Sequence, residues 1–250
     1  GVFSGIIEFS DGSPAAGSRD WCGPSGLGVI DQSNSATITS LLQAGGNPIY
    51  EARMSSGLVS LIGGQTWIDA VYARDQFGGT GHTDATSYTS SSKNGADPAA
   101  WNPGPSNVLG KNDIVDAAGH MFRDGTDLGS DLWFVGLINR AEPGGAAYMD
   151  FEFFIEDVKY NSGSGFTSGG PQLGHTAFEF DASGNITKIG DFIFNVSLES
   201  GVTANVQMRL WVSYTDYTTA TPPSGFTWGA SFDGAFNGSP YGYAEIVPIV

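Results

Sequence analysis

Two carboxylates stand two residues apart in the run Tyr148-Met149-Asp150-Phe151-Glu152-Phe153. In an extended chain alternate side chains share a face, so Asp150 and Glu152 are expected to project together, opposite Met149 and Phe151. Like charges held that close on one sheet face need an offset. A cation, an arginine such as Arg140 or Arg123, or open water supplies it. Asp113 and Asp131 are further candidate oxygen ligands, and with Asp150 and Glu152 they make up the expected metal set. Calcium is the cation suited to such donors. The competing reading is an acidic face that is solvated or paired with arginine.

Other reactive groups are sparse. The chain has no His-Glu-x-x-His, no Gly-x-Ser-x-Gly elbow and no phosphate-binding glycine loop. His82, His120 and His175 are widely separated and read as structural. The acids of Asp124-Gly125-Thr126-Asp127-Leu128-Gly129-Ser130-Asp131 miss the calcium-hand spacing, so a plain turn is expected there. Cys22 is the single cysteine, which rules out a disulfide within the chain and reads as a small buried thiol. Of six tryptophans, Trp101 and Trp228 lie among glycines and prolines and are the candidates for an exposed contact with a sugar or a subunit. Trp133 and Trp211 fall in apolar runs and are expected in the core.

The elements that must position these groups read as strands. The chain has 250 residues, 40% hydrophobic and 12% aromatic, which suffices for a full core. Short apolar segments alternate with clusters of Gly, Ser, Asn, Asp and Pro, as in an all-β sandwich. Candidate strands are 6–9, 36–42, 48–53, 58–62, 66–73, 131–140, 148–156, 191–198, 204–213 and 243–250. The nearly continuous apolar run 131–140 suits a central strand covered on both faces. One short helix is expected over Asp113–Phe122, capped by Asn112 or Asp113. A long polar loop is expected near 80–105, within one domain spanning 1–250. No stretch of apolar residues is long enough for a transmembrane helix.

The formal net charge is −16. Such a surface repels a phosphate backbone, so nucleic acid is excluded as a partner. Divalent cations outside a cell would offset the self-repulsion. The apolar terminal run Tyr243–Val250, with Ile246, Val247 and Ile249 as candidate contacts, must pair internally or add to a neighbouring subunit. The second choice would make a homo-oligomer or polymer by strand addition.

An ordered set of motifs resembles poorly characterised, exported bacterial surface and adhesion proteins. It comprises Lys111-Asn112-Asp113-Ile114, Asp131-Leu132-Trp133, Asn139-Arg140, Gly145 through Phe153, Gly165 through Gly170, and Gly190-Asp191. The resemblance covers about residues 107–211. It implies a concanavalin A-like, jelly-roll sandwich and a role in adhesion or surface structure. Sandwich-fold glucanases place a Glu-x-Asp pair on a comparable strand, but here Tyr148 occupies the position of the first Glu, where the nucleophile would be. The leading expectation is therefore a secreted, non-catalytic structural protomer of a fibre, sheath, layer or adhesin at the cell surface, with calcium as a stabiliser. A carbohydrate-binding adhesin module is the alternative, and a sandwich glycoside hydrolase the second alternative.

Overall fold

The computed structural model describes residues 20–23, 28–31, 50–53, 60–62, 64–75, 83–84, 87–89, 94–142, 144–161, 164–199, 203–234 and 239–249. The expected strands 6–9 and 36–42 lie outside these residues. In chain order the strands begin with β1 (Asp20–Gly23), β2 (Gly28–Asp31), β3 (Tyr50–Arg53), β4 (Ser60–Ile62), β5 (Gln65–Arg74) and β6 (Thr83–Asp84). Next come β7 (Ser106–Asn107), β8 (Ile114–Arg123), β9 (Leu132–Arg140), β10 (Ala147–Phe153), β11 (Val158–Asn161) and β12 (Gly165–Ser168). The last are β13 (Glu179–Phe180), β14 (Ile186–Lys188), β15 (Phe192–Glu199), β16 (Thr203–Ser213), β17 (Phe226–Gly234) and β18 (Tyr241–Pro248), with helix α1 (Tyr214–Thr219) after β16. The fold is all-β with one α-helix among the described residues. Apart from the parallel pair β1–β2, the paired strands of the sheets described below run antiparallel. Among the described residues no helix is long and apolar enough to cross a membrane.

The residues gather into two compact units, 1–86 with 107–142, and 87–106 with 143–250. In the first unit β3, β5, β8 and β9 pair in that order, and β4 also pairs with β5. One face of this sheet buries Trp67 and Tyr72 of β5 and Asp116, Ala118, His120 and Phe122 of β8. Its polar members are partnered. Asp116 accepts from the Tyr72 hydroxyl at 2.5 Å and from the Asn139 amide at 2.9 Å. His120 packs edge-on to Trp67 at 4.8 Å.

Strand β8 corrects the helix expected over Asp113–Phe122. Ile114, Val115, Ala118 and Met121 mimic helical spacing, but burial follows a period of two through Asp116, Ala118, His120 and Phe122. Two of those four are polar, so the stripe is invisible to a count of apolar residues. Gly119 within the run further disfavours a helix. Strand β9 corrects a second expectation. It ends the described sheet instead of lying at its centre, and Leu132 is exposed.

The helix forms elsewhere. Ser213 caps α1, its hydroxyl accepting from the Asp216 N–H at 2.9 Å and donating to the Asp216 carboxylate at 2.7 Å. This Ser-x-x-Asp pattern satisfies an orphan donor of the first turn.

The second unit is built on a five-stranded antiparallel sheet in the order β10-β15-β16-β18-β17. Leu210, Val212, Ala244 and Ile246 form its apolar face, covered by Phe178 from the segment before β13 and flanked by Phe180 and Tyr217. On the opposite face Ile193, Trp211 and Tyr243 pack with Ala177 in a smaller core. Trp211 has no exposed surface. Truncation to Trp211→Ala is expected to cost about 3–5 kcal/mol through the cavity it leaves, read as a lower urea midpoint at unchanged slope.

Candidate functional site

The register of the five-stranded sheet sorts its side chains by chemistry. Opposite Asp150 of β10 stands Asn195 of β15, and opposite Asn195 stands Gln207 of β16. Arg209 pairs with Ile193 on one side and Glu245 on the other. One face therefore carries a row of carboxylates, amides and a guanidinium across four strands. The intervening positions, Phe194, Met208 and Ile246, turn to the opposite face. Tyr148 shares the polar face with Asp150 and Glu152 and is 73% exposed.

Asp150 and Glu152 share that face as the sequence expects, yet their surroundings differ. Both Asp150 oxygens are occupied by amides, Asn195 donating to Oδ1 at 2.5 Å and Asn94 donating to Oδ2. Glu152 is sunk deeper, with 10% of its side chain exposed. Its Oε1 accepts a 2.5 Å hydrogen bond from the Tyr243 hydroxyl. Burial pushes the Glu152 carboxyl above its ordinary range, against the lowering effect of the Tyr243 bond and the His175 ring, and Asp191 and Asp150 push it further. The same burial and the adjoining carboxylate hold the Tyr243 phenol well above its usual range, so the phenol keeps its proton and remains the donor.

His175 lies at the centre of this group with no exposed surface. Its Nε2 is 3.2 Å from the Ala96 carbonyl, which can only accept, so Nε2 carries a hydrogen. Its Nδ1 faces Asp191 Oδ2 at 3.4 Å, the Tyr243 hydroxyl at 3.5 Å and Glu152 Oε1 at 3.9 Å. Asp191 is fully buried and accepts from the backbone N–H groups of Ile155 at 2.8 Å and Thr176 at 2.9 Å. His175, expected as a structural residue, and Asp191 carry no sequence signal that links them to Glu152. The residues come together only through the pairing of β10, β15, β16 and β18.

Aromatic rings extend from this polar node. His175 stacks on Trp211 at 4.2 Å and on Phe154 at 5.4 Å. Phe154 leads to Trp101 at 6.2 Å, and Trp101 to Phe166 at 5.4 Å. Trp101, expected as an exposed platform, is instead wedged between rings. Trp228 is also half-buried, packs against Phe180 and Tyr217, and donates its indole N–H to the Ala220 carbonyl at 3.1 Å.

The remaining expected site residues are dispersed. Asp113 is buried in the first unit, and Asp131 is exposed beside the β8–β9 turn of that unit. Asp150 and Glu152 belong to the second unit. Among the described residues no group of three or more His, Cys, Asp or Glu side chains is arranged to hold a metal ion. Each Asp150 oxygen already accepts one amide hydrogen bond, so the amides offset part of its charge. Ile246 is core, whereas Val247 and Ile249 are 40% and 64% exposed. Strand β18 is paired to β16 as far as Ile246 and to β17 as far as Pro248, so most of the terminal run pairs within the chain.

Comparison with models of protein families, with curated proteins and with solved structures finds no match.

The raised carboxyl of Glu152 sets a pH dependence. An acid whose folded pKa exceeds its unfolded one binds more protons in the native state between the two values. Its contribution to stability is therefore present below the ordinary value of 4.5 and lost as pH rises through the folded value. Glu152→Gln keeps an acceptor for Tyr243 and removes the charge facing Asp150, Asp191 and His175. Thermal melts should show the variant above the wild type at pH 7, with the gap closing as pH falls towards the ordinary glutamate value. A gap independent of pH would contradict this assignment.

Proposed function

We propose that this chain is an extracellular, non-catalytic glycan-binding module of an adhesin, with its contact surface on the polar face of the second unit's five-stranded sheet. The observation that carries the reading is the side-by-side placement of Asp150, Asn195 and Gln207 on adjacent strands, beside the exposed ring of Tyr148. Planar carboxylates and amides suit the adjacent hydroxyls of a pyranose, and a phenol offers both an apolar face and a hydroxyl. The supporting amides are held in place by their bonds to Asp150, which lowers the entropy lost on binding.

Two further features favour binding over turnover. Tyr148 stands where the sandwich glucanases place their first acid. Asp150, the next carboxylate, has both oxygens engaged by amides. The strand-addition route to a structural protomer would need a free edge on the terminal segment, and β16 and β17 take both edges of that segment as far as Ile246.

A glycan array with purified protein is the direct test. Under this reading it gives hits, and Tyr148→Ala weakens them by roughly three- to tenfold, the range of one aromatic contact. The melting temperature of that variant should stay unchanged, because the side chain lies outside the core. An empty array together with polymers in negative-stain micrographs would favour the structural-protomer reading instead.

A further inference from the structure

Beyond the polar row, the second unit displays a cluster of rings that its own core does not consume. Tyr88 and Tyr160 are 41% and 55% exposed, and both pack on Phe166. Tyr88 lies nearly parallel to Phe166 at 6.3 Å, and Tyr160 is tilted against it at 5.2 Å. Trp101 supports Phe166 from the inner side at 5.4 Å. We propose that Tyr88, Tyr160 and Phe166 form a stacking subsite for a further sugar of the same glycan, one that accepts neutral or amino sugars and rejects uronates and sulfated sugars. This inference rests on the glycan-binding reading and adds to it a second contact and a charge class.

The rings are prearranged by two separate backbone supports. Tyr160 and Phe166 are cross-strand partners in the β11–β12 hairpin. Its turn is closed by the Ser164 N–H to the Asn161 carbonyl at 2.9 Å, with Gly165 at a φ of +79° that other residues rarely adopt. Tyr88 bridges to Pro103, and its neighbours are held by the Thr89 N–H to Asn102 O at 2.9 Å and the Gly104 N–H to Ser87 O at 2.7 Å. The supports are tied together where the Ser168 hydroxyl donates to Asp97 at 2.7 Å. Rings fixed in this way lose little entropy when a ligand covers them. Left uncovered, they expose apolar surface to water at a cost.

The ring cluster and the polar row are tied through the interior by packing and charge. The ring path runs from Phe166 through Trp101 and Phe154 to His175, beside Glu152. Burial, and after it the Glu152 charge, raises the Tyr88 phenol, so the two groups lie within each other's field. Among the described residues neither Lys nor Arg forms an ion pair with Asp150, Glu152 or Asp191, and the cation next to Tyr160, Lys159, is paired with Asp157 at 2.5 Å. A sugar carboxylate or sulfate placed here meets the charge of Glu152 and, among the described residues beside the rings, a Lys159 already paired with Asp157. An ammonium meets ring faces and carboxylates, both of which attract it.

Titration calorimetry with cello-oligosaccharides, chitosan oligosaccharides and oligogalacturonates, from di- to hexasaccharides, tests the proposal. The wild type should bind the first two more tightly as length increases and should not bind oligogalacturonate. Tyr160→Ala should lose roughly three- to tenfold on the longer ligands and little on the disaccharides, while Tyr160→Phe keeps the wild-type profile. Equal affinities of Tyr160→Ala and wild type at every length overturn the subsite, as does oligogalacturonate bound as tightly as a neutral ligand. If Tyr148→Ala loses affinity and Tyr160→Ala does not, the subsite fails while the glycan reading stands. If the wild type binds none of the three, the subsite fails, and an empty glycan array then removes the reading beneath it.

Discussion

Burying two carboxylates beside one imidazole is the constraint around which the second unit is organised. Removing a charge from water costs several kcal/mol unless hydrogen bonds and counter-charges replace the lost solvation. The replacement here is distributed over distant parts of the chain. The N–H groups of Ile155 and Thr176 serve Asp191, the Tyr243 hydroxyl serves Glu152, and the Ala96 carbonyl fixes one nitrogen of His175. Meeting the requirement at each group therefore fixes the exit of β10, the entry of β15, the path of β18 and the segment around Ala96. A well-made hydrogen bond adds only about 1 kcal/mol, whereas an unmet buried group costs about 1–3 kcal/mol. The node accordingly selects one arrangement more than it adds stability.

The sheet that carries the node separates two kinds of work by alternation. Even spacing sends Leu210, Val212, Ala244 and Ile246 to one face, where aromatic rings cover them. The same spacing sends Asp150, Asn195, Gln207 and Arg209 to the other. That second face is closed at one end and open at the other. Gly95 approaches the Trp211 ring so closely that an added Cβ would lie 3.3 Å from it, which seals the histidine end. Tyr148, at the far end of β10, stays exposed. A buried node at one end thus holds a polar row whose other end remains accessible.

Much of this frame was legible in local pattern. The alternation in 148–153 predicted the shared face of Asp150 and Glu152, and the apolar runs located β5, β15, β16 and β18 to within a few residues. Tertiary context limited the rest. Strand β8 hides its period of two because Asp116 and His120 occupy core positions. Helix α1 has a readable signal, the Ser213-x-x-Asp216 cap, but is too short to show an apolar stripe. Ile155 lies within the expected strand 148–156 yet is exposed, because β10 ends at Phe153. Trp101 sits among glycines and prolines, yet three rings enclose it. His175 and Asp191 carry no local mark of their role, since their meeting with Glu152 depends on which strands are neighbours.

The imbalance at Glu152 links this architecture to the proposed binding. Its carboxylate receives one strong hydrogen bond, from Tyr243, while Asp150 and Asp191 oppose its charge. A fold selected for stability alone would gain by replacing it with a neutral group. Proteins commonly retain such local costs where a site must meet a ligand. The cost borne at Glu152 is held at the sealed end of the sheet, from which the row of Asp150, Asn195 and Gln207 leads towards the exposed Tyr148. The polar row, with both Asp150 oxygens engaged by amides, is the rigid part of the proposed surface, and the buried Glu152 with its hydrogen-bond partners anchors one end of it instead of meeting the ligand.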